Sequence, residues 1–164
     1  MRRLALSALV SLAATPAVAV DAKPCSAFAW DVSADVAALA TAEMVPSGST
    51  ILPAPAVAVR LLMTDADKAG LALPPEQAQA PAALAGTLRF EARAGAWRVT
   101  TTERVWFDVV QDGSPATPLG FTGDPICEGA RKSMRFTLKD GPATLQVSGA
   151  PSRTVGVAVT AETP

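Results

Sequence analysis

Apolar and polar residues alternate along most of the chain beyond residue 56, and this period of two limits the fold more than any other feature. Successive side chains of a β-strand point to opposite faces of the sheet, so each alternating segment gains one core-facing row. The positions in these rows are Val57, Val59, Leu61, Leu88, Phe90, Ala92, Trp97, Val99, Thr101, Val105, Phe107, Val109, Met134, Phe136, Leu138, Leu145, Val147, Val155, Val157 and Val159. They predict about seven half-buried strands.

Turn residues such as Asp112-Gly113 and Asp140-Gly141 separate these strands at intervals of about 8–12 residues, a spacing typical of an antiparallel β-sandwich or barrel. A parallel sheet would need helical crossovers of about a dozen residues, for which the C-terminal half has no room. We therefore predict an all-β domain over residues 56–164. Residues 64–83, with three prolines and several alanines, are predicted to be a connecting loop or an edge segment, and the Pro/Gly-rich residues 114–129 a loop.

Residues 23–55 form a leader of different character. An alanine-rich run predicts a short helix from about Ala34 to Met44, which Pro46-Ser47-Gly48 would end. Asp35 would lie in the first turn, where a carboxylate complements the helix dipole.

The first 19 residues have the three parts of a secretory signal peptide. Arg2 and Arg3 precede a short apolar run, and Ala17-Val18-Ala19 supplies small residues for cleavage, with a second option after Ala22. The apolar run is too short to span a bilayer as a helix, and Pro, Gly or charge interrupts every later one. We therefore expect a periplasmic or secreted protein with no transmembrane span.

Cys25 and Cys127 both fall after the predicted cleavage site. In an oxidising compartment one disulfide between them is the expected outcome, and two free thiols are the alternative. A bridge closing a loop of roughly 100 residues stabilises a fold by about 4–5 kcal/mol in the chain-entropy model.

The sequence contains no histidine and no tyrosine, which excludes several classes of active site. Catalytic triads or dyads built on histidine, histidine-ligated zinc and iron sites with two histidines and a carboxylate are all ruled out. Acid–base chemistry by carboxylates or lysine stays open, and we predict no cofactor. The formal net charge of −1, with no basic patch, gives no indication of nucleic-acid binding.

Four segments, LAGTLRFEARAGAWRV, VWFDVVQDG, RKSMRFTLKDGPATLQVSGA and VGVAVTA, together resemble bacterial pre-peptidase C-terminal domains. That family has a strand-turn of the form D-x-x-x-x-x-G; Asp108 and Gly113 sit in the corresponding strand-turn, with four residues between them instead of five. It also has a late F-x-L-x-x-G hairpin, matched by Phe136, Leu138 and Gly141. The resemblance covers roughly residues 84–161 and implies a jelly-roll-like β-sandwich that serves secreted enzymes as an accessory, adhesion or targeting module.

The chain also resembles small exported bacterial proteins of unknown function, some of which carry the label homogentisate dioxygenase. Such an oxygenase holds its iron with two histidines and a carboxylate. Because this sequence has no histidine, we expect no oxygenase chemistry of that kind.

The segment TDADKAGLALPPE matches part of an EF-hand calcium loop, with Asp65, Asp67, Gly70 and Glu76 at positions 1, 3, 6 and 12. Positions 5 and 9 are alanine and leucine, which offer no side-chain oxygen, and two prolines prevent the helix that should follow. We therefore interpret the segment as a solvated loop. Asp65 and Asp67 stay the only metal candidates, through the acidic loops with which some sandwich domains bind calcium.

Trp106 and Asp108 lie on one face of a predicted strand, opposite its apolar row. An exposed aromatic ring beside a carboxylate is typical of a sugar-binding surface. Because large aromatic rings are highly buried on average, we favour a Trp106 covered by the leader helix or by residues 114–129. Arg131 and Lys132, shortly after Cys127, form either a small anion site or a pair of solvated charges.

These features predict an exported accessory or binding protein whose partner is a glycan or an envelope protein. Trp106, Asp108, Arg131 and Lys132 are the candidate ligand-binding residues. One alternative is a histidine-free enzyme that works through carboxylates such as Asp108 and Asp124. Another is a purely structural envelope component.

Overall fold

The computed structural model describes residues 25–52, 56–77, 80 and 83–162. The predicted signal peptide, including both cleavage options, lies outside the described residues. Twelve strands in the described part of the chain form two sheets.

The first sheet has the order β1 (Glu43–Pro46), β3 (Ala56–Leu62), β12 (Thr154–Ala161), β6 (Gly95–Thr101), β10 (Lys132–Leu138) and β9 (Pro118–Gly123). The second sheet has the order β2 (Ser49–Thr50), β5 (Leu84–Ala92), β11 (Gly141–Ala150), β7 (Trp106–Gln111) and β8 (Ser114–Pro115). The short strand β4 (Thr64–Asp65) also pairs with β5.

The predicted all-β sandwich is confirmed, but its sheets are mixed rather than purely antiparallel. All pairings between the long strands are antiparallel. The two parallel pairings, β1 with β3 and β2 with β5, come from the leader, which adds one short strand to an edge of each sheet. Sequence alternation in the long strands carries no information about these additions.

The core lies between the sheets and consists mainly of the rows that the alternation predicts, with Ile51 of the leader added. Phe107 of the second sheet contacts Phe136 of the first with ring centroids 6.3 Å apart, and Phe90 contacts Trp97 at 5.4 Å. All four rings are at most 4% exposed. Burying such a side chain contributes about 1.5–3 kcal/mol, so these rows hold the two sheets together.

Most connections between long strands pass from one sheet to the other. Asp112 and Gly113 close a true hairpin between β7 and β8, and both have positive φ, 52° and 70°. The turn at Asp140-Gly141 instead carries the chain from β10 in the first sheet to β11 in the second. The hairpin expected there from the family resemblance is therefore a crossing between layers.

The leader differs from its predicted form, because the helix α1 (Ser33–Ala40) ends four residues earlier than Met44. Residues 43–46 form β1 instead, in which Val45 packs against the core. The edge of β3 offers backbone hydrogen-bond partners to residues 43–46. This pairing prevails over the tendency of the alanine-rich run to continue as a helix. No helix among the described residues is long and apolar enough to cross a bilayer.

Part of the stretch 114–129, predicted to be a loop, forms the edge strand β9. Proline and glycine gave it a weak strand signal, but proline is tolerated at a sheet edge. The stretch 64–83 contains β4 and a short 3₁₀ helix at Ala66–Lys68 and is otherwise irregular where described.

The leader covers the outer face of the first sheet, and Asp35 anchors it there. Its carboxylate accepts hydrogen bonds from Arg98, whose Nε lies 2.8 Å away, and from the hydroxyls of Thr100 and Thr160. The side chain of Asp35 is 1% exposed. Burial opposes the charged guanidinium, but hydrogen bonds and attraction from Asp35, together with Glu162, raise the pKa of Arg98. Asp35 thus pairs with the sheet, a role beyond the helix-dipole role predicted for it.

The disulfide between Cys25 and Cys127 is confirmed and links residues 102 positions apart. It packs with Phe28, Val32 and Ala130 in a small apolar cluster outside the main core. The bridge therefore joins the start of the leader to the segment between β9 and β10.

Replacing Asp35 with alanine should destabilise the protein by about 3 kcal/mol, since breaking a buried ion pair costs about 3–5 kcal/mol. We expect the lower end because Arg98 keeps Glu162, 3.0 Å away. Urea unfolding followed by circular dichroism measures the change.

The matched control is Asp65→Asn, which removes the exposed ion pair with Lys68. Exposed ion pairs contribute little to stability, because water and salt screen them, so this variant should unfold close to the wild type. Equal losses in both variants would contradict the anchoring role of Asp35.

Candidate functional site

A cleft of about 770 Å³ opens at one end of the sandwich. Its walls come from segments far apart in sequence: the residues before and at the start of β7, the strand β9, and the start of β10. The lining side chains that bear on binding are Gln77, Arg104, Trp106, Phe121, Arg131 and Lys132. Three of the four predicted ligand-binding residues therefore line one cleft.

Lys132 bridges the two sheets at the back of this cleft. It occupies the same inward-facing row of β10 as Met134 and Phe136, at the end of the strand where the core stops. Its ammonium donates a hydrogen bond to the carbonyl of Val105, 3.1 Å away, and lies 4.4 Å from the ring centroid of Trp106. Burial lowers the pKa of Lys132, and the nearby charge of Asp108 partly opposes this effect.

Trp106 is half-buried in the wall of the cleft. This is intermediate between the two alternatives considered from the sequence, a covered ring and an exposed one. Its indole N–H donates to Oδ1 of Asp108 at 2.8 Å, which fixes the orientation of the ring. The Lys132 ammonium lies over the ring in a cation–π contact. Phe121 and Thr122, from the 114–129 stretch proposed to cover it, line the same cleft.

Asp108 positions Trp106 and does not line the cleft. The residue is 7% exposed, and its second oxygen accepts a hydrogen bond from the Gln146 amide at 3.3 Å. Gln146 in turn exchanges hydrogen bonds with the backbone of Leu73, at 3.2 and 3.0 Å. Both carboxylate oxygens are thus engaged within the protein. The sequence had suggested instead that Asp108 accepts a hydrogen bond from a sugar hydroxyl.

The cleft carries three cationic side chains. Arg131 is half-buried and donates to the carbonyl of Pro125, and Arg104 is exposed. Within the described residues, neither arginine nor Lys132 forms an ion pair with a carboxylate. Guanidinium groups in this setting bind carboxylates or phosphates through paired hydrogen bonds.

Asp124 also lines the cleft, but its carboxylate is engaged by the backbone. It is 1% exposed and accepts hydrogen bonds from the N–H groups of Ile126, at 3.0 Å, and Ala27, at 3.2 Å. The N–H of Ile126 is the main cause that lowers the pKa of Asp124. Burial opposes it, and the N–H groups of Ala27 and Cys127 and the charge of Arg131 add to it. This carboxylate ties the leader to the disulfide segment.

Phe121 and Arg104 were missed by the sequence analysis. Phe121 is 74% exposed on the edge strand β9. The proline and glycine residues near it led to the prediction of a loop. Its spacing of two from Leu119 was the available signal. Arg104 precedes an apolar strand and has no sequence feature that separates it from other surface arginines.

The two metal candidates lie in the 64–83 stretch. Asp65 is bound by the Lys68 ammonium at 2.8 Å, and Asp67 is exposed in the 3₁₀ helix. Within the described residues, no group of three or more His, Cys, Asp or Glu side chains is arranged to hold a metal ion.

No family model matches the chain, and no curated protein sequence or solved structure does so either. The resemblances to pre-peptidase C-terminal domains and to small exported proteins stay predictions from sequence pattern.

Replacing Asp124 with asparagine should lower the melting temperature by a few degrees at neutral pH, since the charged form accepts the stronger hydrogen bonds. The folded-state pKa lies below the unfolded value of about 3.9, so the stabilisation is present above that value and is lost as the pH falls. The wild-type and variant melting temperatures should therefore converge in acid.

The control is Glu128→Gln, which alters an exposed carboxylate in the same segment and should leave the melting temperature nearly unchanged. A gap between wild type and Asp124→Asn that is the same at neutral and acidic pH would show that charge plays no part.

Proposed function

We propose that this is an exported, non-catalytic binding protein whose ligand is a glycan held in the cleft. The observation that supports the proposal is the convergence of Trp106, Arg131 and Lys132, from different parts of the chain, on one open cleft. Export, to the periplasm or beyond the cell, rests on the signal pattern at residues 1–19.

The side chains of the cleft have the chemistry that sugar recognition uses. Phe121 offers a largely exposed ring and Trp106 a partly exposed one, on which the apolar face of a sugar can stack. Arg104 and Arg131 supply hydrogen-bond donors for hydroxyl and ring oxygens. A concave site with aromatic walls and a few polar groups is the usual form of a small-ligand site.

The geometry favours binding over the carboxylate-dependent enzyme. Asp108 and Asp124, the residues suggested for acid–base work, both have their oxygens occupied by internal hydrogen bonds. The pKa of Asp124 is lowered, whereas a general acid needs a raised value. A formed cleft whose three cations make no ion pair with any described carboxylate also favours a binding role over a purely structural one.

Titration with a panel of polysaccharides, followed by tryptophan fluorescence, tests the proposal. A Trp30→Phe background removes an indole on the opposite face of the first sheet and leaves Trp97 buried in the core as the other emitter; in it, a bound glycan should quench the emission of Trp106. Phe121→Ala should weaken binding about tenfold, because truncating an aromatic anchor costs more than about 1 kcal/mol.

Leu119→Ala is the matched control, since Leu119 is 60% exposed on the same strand and does not line the cleft. This variant should bind as the wild type does. If no glycan of the panel quenches the emission, or if both variants lose affinity equally, the cleft is not a glycan site.

A further inference from the structure

We infer that the glycan of this cleft is acidic, a uronate chain whose carboxylates pair with Arg104, Arg131 and Lys132. The inference rests on the proposed function, because it specifies the charge of a ligand held in the same cleft. It specifies the chemical class of the glycan, which the fold and the aromatic side chains do not determine.

The charge of the cleft differs in sign from that of the whole chain. The full sequence has a formal net charge of −1, yet the cleft gathers two arginines and a lysine that form no ion pair within the described residues. The carboxylate in the lining, Asp124, is bound to backbone N–H groups, and it also attracts Arg131 without forming an ion pair. A concave site with charge of one sign focuses its potential on ligands of the other.

Lys132 is the cation of the cleft whose surroundings most favour an anionic ligand. Its ammonium is partly buried between Trp106 and Phe107, 4.4 and 4.9 Å from their ring centroids, and one of its three N–H groups binds the Val105 carbonyl. Asp108 attracts this cation but makes no ion pair with it, so part of the cost of burying the charge stays. A ligand carboxylate beside it would remove that cost and occupy the remaining donors.

The three cations lie at different depths. Lys132 is at the back, Arg131 is half-buried, and Arg104 is exposed to solvent. A chain that carries a carboxylate on each ring can meet cations spaced along a cleft, while its rings contact Phe121 and Trp106. An acidic peptide could pair with the same cations but has no sugar ring for these aromatic walls, so we favour the uronate.

Calorimetric titration of the mature protein with uronate chains tests the inference. Oligogalacturonate, oligoalginate and hyaluronan fragments are each compared with the same chain after methyl esterification, which removes the charge and keeps the sugar. At least one uronate should bind about tenfold more tightly than its ester, and raising the salt to about 1 M should abolish the difference.

Arg104→Gln should weaken binding of that uronate about fivefold and leave the ester unaffected, as expected for one exposed ion pair. The control is Arg93→Gln, an exposed arginine at the β5–β6 turn, at the opposite end of the sandwich. It should bind both ligands as the wild type does.

Equal affinity for uronates and esters, or binding of neutral glycans alone, would contradict the inference that the ligand is acidic. The proposal that the cleft binds a glycan would still hold. Binding of poly-glutamate as tightly as any uronate overturns it in favour of an acidic peptide. If no uronate, ester or neutral glycan binds, the proposed function falls as well.

Discussion

The burial of one apolar face of each sheet is the constraint on which the rest of this structure depends. The alternation of apolar and polar residues along the strands produces these two faces. Phe90, Phe107 and Phe136 lie in rows that meet between the sheets, and their contacts fix the separation of the layers. The cleft opens where one of these rows stops being apolar. Lys132 continues the row of β10 at the end of the sandwich, and its charge cannot enter a dry core without a partner. It donates a hydrogen bond to the carbonyl of Val105 instead. The strand β10 therefore supplies core residues along most of its length and a cleft residue at its end.

Part of each outer face of the sandwich is covered by a segment outside the long strands. On the first sheet, the leader is held by the buried carboxylate of Asp35 and by the disulfide at Cys25. On the second, the backbone of Leu73 is bound by Gln146, beside Asp108. Asp108 then orients Trp106, and Asp124 ties the leader to the segment that bears Arg131. The cleft is therefore built on side chains whose positions are set by covered, hydrogen-bonded neighbours.

Alternation and turn residues were enough to predict the sandwich, its core rows and the disulfide, because these depend on local spacing and on two cysteines. Trp106, Arg131 and Lys132 were identified as candidates from residue type. Their meeting in one cleft could not be predicted, since it depends on which strands neighbour each other. The true partners of Asp35 also lie 63 to 125 positions away, and nothing in the leader indicates them. Strand β9 escaped prediction because pairing with β10, rather than its own propensity, makes it a strand.

A crystal structure of the protein with a bound oligogalacturonate would test most directly that the end of the sandwich is an acidic-sugar site. We expect a sugar ring against Phe121 and a carboxylate within hydrogen-bond distance of Arg104 or Arg131, with the positions of Trp106 and Lys132 little changed. A sugar bound on another surface, with the cleft left empty, would contradict this account.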